Sequence, residues 1–190
     1  MKQTIPAVIF AGGKSSRMGT DKATLPFGNY GSLAEYQYRR LKKIFRNVYI
    51  GSKTEKFDFD APLILDRYAA SSPMSGLVSA FETLEGAEAI FVLSVDAPFI
   101  DKTVITALLD AERHADAVIA RCCQKVQPLC GLYRRSCLPY AKSALEADKH
   151  KMGMLLDAFD TYYVDFEERE AFLNLNHPEE YEAALKLIGS

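Results

Sequence analysis

The sequence predicts an α/β fold in a single domain spanning residues 1–190, built around a doubly wound, mainly parallel sheet with helices on both faces. Three observations predict it. Short apolar segments alternate with segments of helical periodicity along the chain, and this alternation implies right-handed crossovers between parallel strands. The first apolar segment, residues 5–11, is continuously hydrophobic, as in a strand covered on both faces. No linker or repeat divides the sequence.

The elements follow in chain order. A glycine-rich polar loop continues to about Gly31, and Ser32 with Glu35 three residues later predicts a helix that begins with a capping box. Asp101 is expected to cap a later helix. Further strands are predicted at residues 48–50, 63–65, 90–95, 117–120, 129–133, 162–166 and 172–175, and further helices around residues 77–84, after residue 101, and at 138–147, 152–158 and 178–188.

Composition excludes several classes of protein. The formal net charge is −2, from 23 basic and 25 acidic residues, which argues against a nucleic-acid partner because such proteins normally show a basic excess. No apolar run approaches the roughly 20 residues of a membrane-spanning helix. The four cysteines form no CxxC pair and follow no export signal, so reduced, mostly packed thiols in a cytoplasmic protein are expected.

The loop after the first strand carries the strongest functional signal, because ligands of such sheets bind outside the carboxyl ends of the strands. Gly12 and Gly13 allow backbone N–H groups to approach an anion closely. Arg17 can grip phosphate oxygens, and Lys22 adds a mobile charge. A P-loop is excluded because Val8 stands where that motif needs glycine, and the dinucleotide fingerprint lacks its third glycine. The alternative is an ordinary mobile surface loop.

Two carboxylates follow other predicted strands. Asp96 comes after residues 90–95, where a lone carboxylate suits Mg²⁺; the alternative, a helix cap, is better filled by Asp101. Asp66 follows residues 63–65 and precedes a predicted helix N-terminus, where it is either a ligand contact or a turn-forming residue. No GxSxG or HExxH motif is present in the sequence. Nucleotide-dependent transfer chemistry fits this set of residues.

The loop at residues 9–22 reads IFAGGKSSRMGTDK, and several other motifs follow it in order. This loop resembles the signature loop of the nucleotidyltransferase family that includes molybdenum cofactor guanylyltransferase. The resemblance covers essentially the whole chain. It continues through residues 65–66, 73–76, 95–99, 127–129 and 172–180. It implies a nucleotide-diphospho-sugar-transferase-like variant of the Rossmann fold. It also implies transfer of GMP from GTP to the phosphate of molybdopterin with Mg²⁺ as cofactor.

The resemblance also implies roles for individual residues. The donor nucleotide would contact Asp66 and residues at and after the end of the first strand. Two cations would neutralise the triphosphate, and Asp96 would hold Mg²⁺. Two asparagines would face the pterin. The residues are Phe10, Ala11, Gly12, Gly13 and Ser15 for the nucleotide, Arg17 and Lys22 for the charge, and Asn174 and Asn176 for the pterin. The alternative role for the asparagines is to cap the final helix.

Three positions depart from the family pattern. Lys53 lies where an asparagine often helps to bind guanine, Ser72 replaces a common glycine, and His177 replaces a common threonine. Two alternatives therefore stay open: a transferase that uses CTP or another phosphate acceptor, and a non-catalytic module that binds a nucleotide or cofactor. Transient contacts with other proteins of molybdenum cofactor biosynthesis are expected, with no nucleic acid or membrane partner.

Overall fold

A computed structural model describes residues 1–12, 20–69, 72–111 and 114–189 of the chain. The strands are β1 Ala7–Phe10, β2 Val48–Ser52, β3 Leu63–Leu65, β4 Ala89–Ser94, β5 Ala117–Cys122, β6 Lys125–Arg134 and β7 Thr161–Phe166. The helices are α1 Leu33–Ile44, α2 Pro73–Thr83, α3 Lys102–Asp110, α4 Leu138–Glu146, α5 Met152–Leu156 and α6 Pro178–Gly189.

The strands form one seven-stranded sheet in the order β3-β2-β1-β4-β6-β5-β7. Every pairing is parallel except those of β6, which runs antiparallel to both β4 and β5. The predicted mainly parallel sheet is therefore confirmed. Because β6 is reversed, its first residues lie at the edge of the sheet where β1 to β5 end.

Helices cover both faces of the sheet, as the sequence predicts. In β1, Ala7 and Ile9 pack into one core, which α1, α3 and α6 complete, whereas Val8 and Phe10 pack into a second core with α2, α4 and α5. All four residues of β1 are buried, which accounts for the continuous hydrophobicity of this segment. Burial on both faces fixes the end of β1 firmly, and the glycine-rich loop starts from that point.

The predicted strand at residues 172–175 is wrong. A short 3-10 turn, Arg169–Phe172, comes first, and an extended segment without strand pairing follows it. Phe172 and Leu175 are both buried while Leu173 is 45% exposed. This spacing of three cannot arise in a strand, whose side chains alternate between two faces. The segment instead crosses the carboxyl edge of the sheet, where the Leu175 N–H donates to the Asp96 carbonyl at 2.9 Å.

Two predicted helix caps are present, one of them in altered form. Asp101 accepts a hydrogen bond from the backbone of Val104 at 2.9 Å and caps α3 as expected. Ser32 accepts from the backbone of Glu35 at 3.0 Å, but the Glu35 carboxylate accepts from the N–H of Gly31, not from that of Ser32. The predicted capping box is thus displaced by one residue.

Two further features concern the cysteines and the helices. All four cysteines are free thiols; Cys122, Cys130 and Cys137 are buried and Cys123 is exposed. Among the residues with assigned positions, no helix combines the length and hydrophobicity needed to span a lipid bilayer.

Candidate functional site

A pocket of about 200 Å³ opens at the carboxyl ends of the first three strands, and we call it the β1–β2 pocket. Phe10 and Gly12 line it from β1, Gly51 and Ser52 from β2, and Ile64 from β3. The start of α2 closes another side with Ser72, Pro73, Gly76 and Ser79, and the remaining lining residues are Asp21, Lys53, Thr54, Lys56 and Asp66. The pocket therefore lies where the sheet topology predicts a ligand.

Close packing of Phe10 against Gly76 shapes the floor of the β1–β2 pocket. A Cβ atom at Gly76 would lie only 3.3 Å from Cε2 of the Phe10 ring. Glycine lets α2 approach the end of β1, so the ring stays 7% exposed while it still lines the cavity. Of the predicted loop residues, Ala11 and Gly12 continue from β1, whereas Gly13, Ser15 and Arg17 lie outside the described residues.

Asp66 connects the end of β3 to α2. One carboxylate oxygen accepts hydrogen bonds from the Ser79 hydroxyl at 3.2 Å and the Tyr68 N–H at 3.1 Å. The other accepts from the Ser75 hydroxyl at 2.7 Å. Ser75 in turn makes a reciprocal capping box with Ser72 at the start of α2. Asp66 therefore forms the turn that the sequence allowed as an alternative, and it also lines the pocket.

Two lysines on the segment after β2 face this pocket. The Lys56 ammonium donates to the Ala11 carbonyl at 2.9 Å and pairs with the Asp21 carboxylate, so it joins the two ends of the glycine-rich loop. Sequence reasoning missed Lys56, because one lysine in a polar segment resembles any surface cation. Lys53 donates to the carbonyls of Ala69 at 2.8 Å and Tyr68 at 3.3 Å.

Lys22 and Asp96 meet beside this pocket, although 74 residues separate them. Their charged atoms lie 2.7 Å apart, and the side chains are 15% and 19% exposed. The other carboxylate oxygen of Asp96 accepts from the Ser94 hydroxyl at 2.6 Å. Lys22 also donates to the side-chain oxygen of Asn176 at 3.2 Å. Residues from three distant parts of the chain thus form one polar cluster.

Helix α1 holds the segment that carries Asp96. Gln37 is fully buried, and its side-chain amide donates to the Ala97 carbonyl at 2.9 Å. The Arg40 guanidinium binds the carbonyls of Pro98 and Ile100, and burial lowers the pKa of Arg40. These contacts satisfy buried carbonyl groups that no strand pairs, and they fix the position of the Asp96 backbone.

A second depression lies on the other side of Asp96, and we call it the β6 groove. It consists of two adjoining cavities of about 210 and 460 Å³ that share Gln127, Phe172 and Asn174. Asp96 lines the smaller cavity and Asn176 the larger one. The Lys22–Asp96–Asn176 cluster therefore stands between the β1–β2 pocket and the β6 groove.

The two predicted asparagines differ in their surroundings. Asn174 lines both cavities of the β6 groove, whereas Asn176 contacts Lys22. The start of α6 is capped by Glu180, whose carboxylate accepts from the N–H groups of Asn176 at 2.6 Å and His177 at 2.9 Å. The alternative role of the two asparagines was to cap this helix, but the side chain of Glu180 supplies the cap instead.

The donor set around Asp96 is compatible with a hard divalent cation that also binds phosphate. Within the described ranges, no three His, Cys, Asp or Glu residues come together as a metal-binding group. The described residues therefore do not form a transition-metal site in which protein side chains supply all the ligands. Mg²⁺ needs fewer protein ligands, since it typically takes one or two carboxylates and completes its shell with substrate phosphates and water.

A mainly parallel sheet with a glycine-rich sequence after β1, and with a cation and a carboxylate at its carboxyl edge, is typical of nucleotide-binding α/β enzymes. Residues 7–161 match the MobA-like NTP transferase domain. The chain belongs to this family of nucleotidyltransferases. Members of the family generally use a divalent metal.

Curated relatives agree with this assignment, and a solved structure agrees with the fold. Molybdenum cofactor guanylyltransferase of Campylobacter jejuni is 40% identical over 178 residues, 92% of each chain. The protein of the same name from Helicobacter pylori is 34% identical and covers 97% of this chain and 93% of its own. The structure of molybdopterin-guanine dinucleotide biosynthesis protein A from Archaeoglobus fulgidus superposes with a TM-score of 0.82 at 20% identity, covering 96% and 98% of the two chains.

Proposed function

We propose that this protein transfers GMP from GTP to the phosphate of molybdopterin and releases pyrophosphate. The observation that carries the proposal is the similarity over nearly the full length to relatives named molybdenum cofactor guanylyltransferase. The arrangement of the site supports it, because a cation–carboxylate cluster stands between two separate cavities. Two substrates that must meet at one phosphorus atom need such an arrangement.

The donor nucleotide occupies the β1–β2 pocket in this proposal. The guanosine lies among Phe10, Ala11, Gly12 and Asp66, and the triphosphate extends toward Lys22. Gly13, Ser15 and Arg17 complete the phosphate contacts, a role that rests on their place in the sequence. The start of α2 faces the same pocket, and the positive end of the dipole of this helix favours an electron-rich ligand.

The acceptor, molybdopterin, occupies the β6 groove, where Asn174 and the neighbouring Gln127 offer amide groups to a pterin. An oxygen of its phosphate attacks the α-phosphorus of GTP, and the bond from that phosphorus to the bridging oxygen of the β-phosphate breaks. The phosphate monoester is already largely ionised near neutral pH, since its second pKa is about 6. A general base is therefore unnecessary, and catalysis depends on positioning and charge neutralisation.

Asp96 is the residue that would hold Mg²⁺. The ion would supply charge neutralisation on the phosphates of the nucleotide. Ser94 keeps one oxygen of Asp96 in place, while Lys22 contacts the other. With a nucleotide bound, Lys22 can transfer its hydrogen bond from Asp96 to a phosphate oxygen, and the freed carboxylate oxygen of Asp96 would then be available to hold the cation.

The assay that tests this function measures pyrophosphate release from GTP, CTP, ATP and UTP with molybdopterin and Mg²⁺. We expect release with GTP and a dinucleotide product. Release with CTP instead would overturn the guanine assignment and identify a cytidylyltransferase. This alternative is open because Lys53 stands where the family pattern has an asparagine that helps to bind guanine. No release from any of the four nucleotides, with binding retained, would identify a non-catalytic binding module.

Organisation and location belong to the same proposal. We infer a single nucleotidyltransferase domain over residues 1–190 in the cytoplasm, with transient contacts to proteins that supply or accept the cofactor. The four free thiols support a reducing compartment. Small-angle scattering of the purified protein, with and without the substrates, tests the single-domain part of this inference.

A further inference from the structure

Two adjacent cysteines, Cys122 and Cys123, occupy the hairpin turn between β5 and β6. Their sulfur atoms lie 3.4 Å apart. Cys123 is exposed, whereas Cys122 is 4% exposed and packs in the core. Cys123 has a φ of 52° and the next residue, Gln124, a φ of 66°, so both central residues of the turn adopt the left-handed conformation of a tight hairpin. The turn itself thus brings the two thiols together.

Arg169 makes the exposed thiol different from the other three. Its guanidinium Nε donates to the Cys123 sulfur at 3.3 Å from the segment after β7. This hydrogen bond is the main cause that lowers the pKa of the Cys123 thiol, and a hydrogen bond with Cys122 is the second cause. Burial raises the pKa of Cys122, and it raises those of Cys130 and Cys137 to about 12. The thiolate is the reactive form of cysteine, so an exposed sulfur beside a guanidinium is the nucleophile of this set.

We propose that Cys122 and Cys123 form an oxidation site for hydroperoxides, with Cys123 as the attacking thiol and Cys122 as the resolving thiol. The Cys123 thiolate attacks the peroxide, an S–O bond forms, the O–O bond breaks, and hydroxide or an alkoxide leaves, so Cys123 becomes a sulfenic acid. The sulfur of Cys122 then attacks that of Cys123. An S–S bond forms, the S–O bond breaks, and water leaves with the proton of Cys122. The protein loses two electrons and the peroxide gains them.

A disulfide at this position is readily reversed. The Cα atoms of adjacent residues lie about 3.8 Å apart, whereas disulfides usually join Cα atoms separated by about 4.4 to 6.8 Å. The bond is therefore strained, and strained, exposed disulfides are the ones that thiols reduce easily. This favours a reversible modification over a structural cross-link.

The turn is continuous with the β6 groove, because Lys125, the first residue of β6, lines the larger cavity together with Gln127. Oxidation should therefore change binding in the β6 groove more than binding in the β1–β2 pocket. This consequence rests on the proposed function, since it assigns the acceptor to the groove. The oxidation chemistry itself does not depend on that function.

Limited alkylation of the reduced, folded protein with iodoacetamide, followed by trypsin and mass spectrometry, tests the first step. Trypsin cuts after Arg121 and Lys125, so the pair leaves in one tetrapeptide, separate from the peptides of Cys130 and Cys137. We expect Cys123 to react faster than Cys130 and Cys137 by a factor on the order of ten or more. Arg169→Met should slow Cys123 alone, and Arg169→Lys should restore part of the rate. Equal rates at Cys123 and the buried cysteines would overturn the proposal.

Treatment with hydrogen peroxide tests the second step. In the wild-type protein the tetrapeptide should lose the mass of two hydrogen atoms, resist alkylation, and recover with dithiothreitol. Cys122→Ser should instead give a sulfenic acid that dimedone traps, and Cys123→Ser should give neither product. An unchanged tetrapeptide, irreversible oxidation alone, or disulfides between molecules in the wild type would each overturn the proposal. These oxidation experiments contain neither GTP nor molybdopterin. Their failure can therefore be distinguished from failure of the guanylyltransferase assay.

Discussion

The β1–β2 pocket and the β6 groove are built in different ways. The pocket is formed by the ends of three parallel strands and the start of α2, and Asp66 joins the end of β3 to α2 with hydrogen bonds that span at most 13 residues of sequence. The groove combines residues that follow β4, begin β6 and precede α6. The lining of the pocket thus comes from residues 10–79, whereas the lining of the groove comes from residues 94–187. Substitutions should therefore separate the binding of the two substrates, except at the cluster between them.

Asp96→Asn should have the largest effect, because it removes the charge that the proposal gives to the metal and to Lys22. We expect kcat/KM to fall by about 100-fold or more for both substrates. Steady-state kinetics over a range of Mg²⁺ concentrations checks this. The matched control is Asp101→Asn, five residues on, which should be nearly neutral because asparagine also caps helices well. Wild-type Mg²⁺ dependence in Asp96→Asn would show that another group holds the metal.

Lys22→Met should rank second. The methionine keeps the aliphatic length but loses the contacts to Asp96 and Asn176 and the charge offered to the triphosphate. We expect the affinity for GTP, measured by calorimetry, to fall by about tenfold to 100-fold. Lys102→Met on the exposed start of α3 is the control, and its GTP affinity should not change. An unaltered affinity in Lys22→Met would contradict the placement of the triphosphate.

Asp66→Asn examines the pocket by itself. An amide can accept only on its oxygen, so at least one of the bonds from Ser75, Ser79 and the Tyr68 backbone weakens. We expect KM for GTP to rise about tenfold while KM for the acceptor stays within experimental error. Asp58→Asn, in the exposed segment before β3, serves as the control. An equal rise for both substrates would mean that the pocket and groove are not independent.

Asn174→Ala examines the groove by itself. Asn174 lines both of its cavities, and its loss removes one amide from the proposed pterin site. We expect KM for molybdopterin to rise about fivefold to tenfold and the affinity for GTP to stay unchanged. Asn176→Ala sharpens the comparison, because that residue contacts Lys22 and should affect both substrates. A GTP defect in Asn174→Ala would place the donor nucleotide in the groove.

Lys53→Asn should have the smallest effect. Lys53 is exposed and donates to the carbonyls of Tyr68 and Ala69 beside the pocket. Replacing it with the amide that the family resemblance implies at this position should change the ratio of kcat/KM for GTP to that for CTP about threefold in favour of GTP. Competition between the two nucleotides in one reaction measures this ratio. An unchanged ratio would count against a role for this position in base selection, and a shift toward CTP would contradict the expected direction.

The difference between local sequence signals and long-range contacts explains how far the sequence predicts the structure. The order of strands and helices follows from apolar periodicity, and Asp96 was identified because it directly follows a buried strand. Both signals are local. The contact of Lys22 with Asp96 and Asn176 spans 74 and 154 residues, and no pattern within a single sequence encodes it.

Two further differences have the same origin. The segment 172–175 was predicted as a strand from its apolar residues, but packing of Phe172 and Leu175 against distant elements decides its conformation. Lys56 was missed because its importance comes from a carbonyl and a carboxylate at the two ends of another loop. The predicted roles of Gly13, Ser15 and Arg17 rest on the sequence, since these residues lie outside the described ranges.

The reversed direction of β6 has a consequence for how such an enzyme can change its acceptor. The first half of β6 lines the groove and the turn before it adjoins the groove, while none of their residues line the β1–β2 pocket. Insertions or deletions in that turn can therefore remodel the acceptor side while the donor side keeps its structure. Changes in this one turn can thus alter the acceptor groove of the fold without altering its nucleotide pocket.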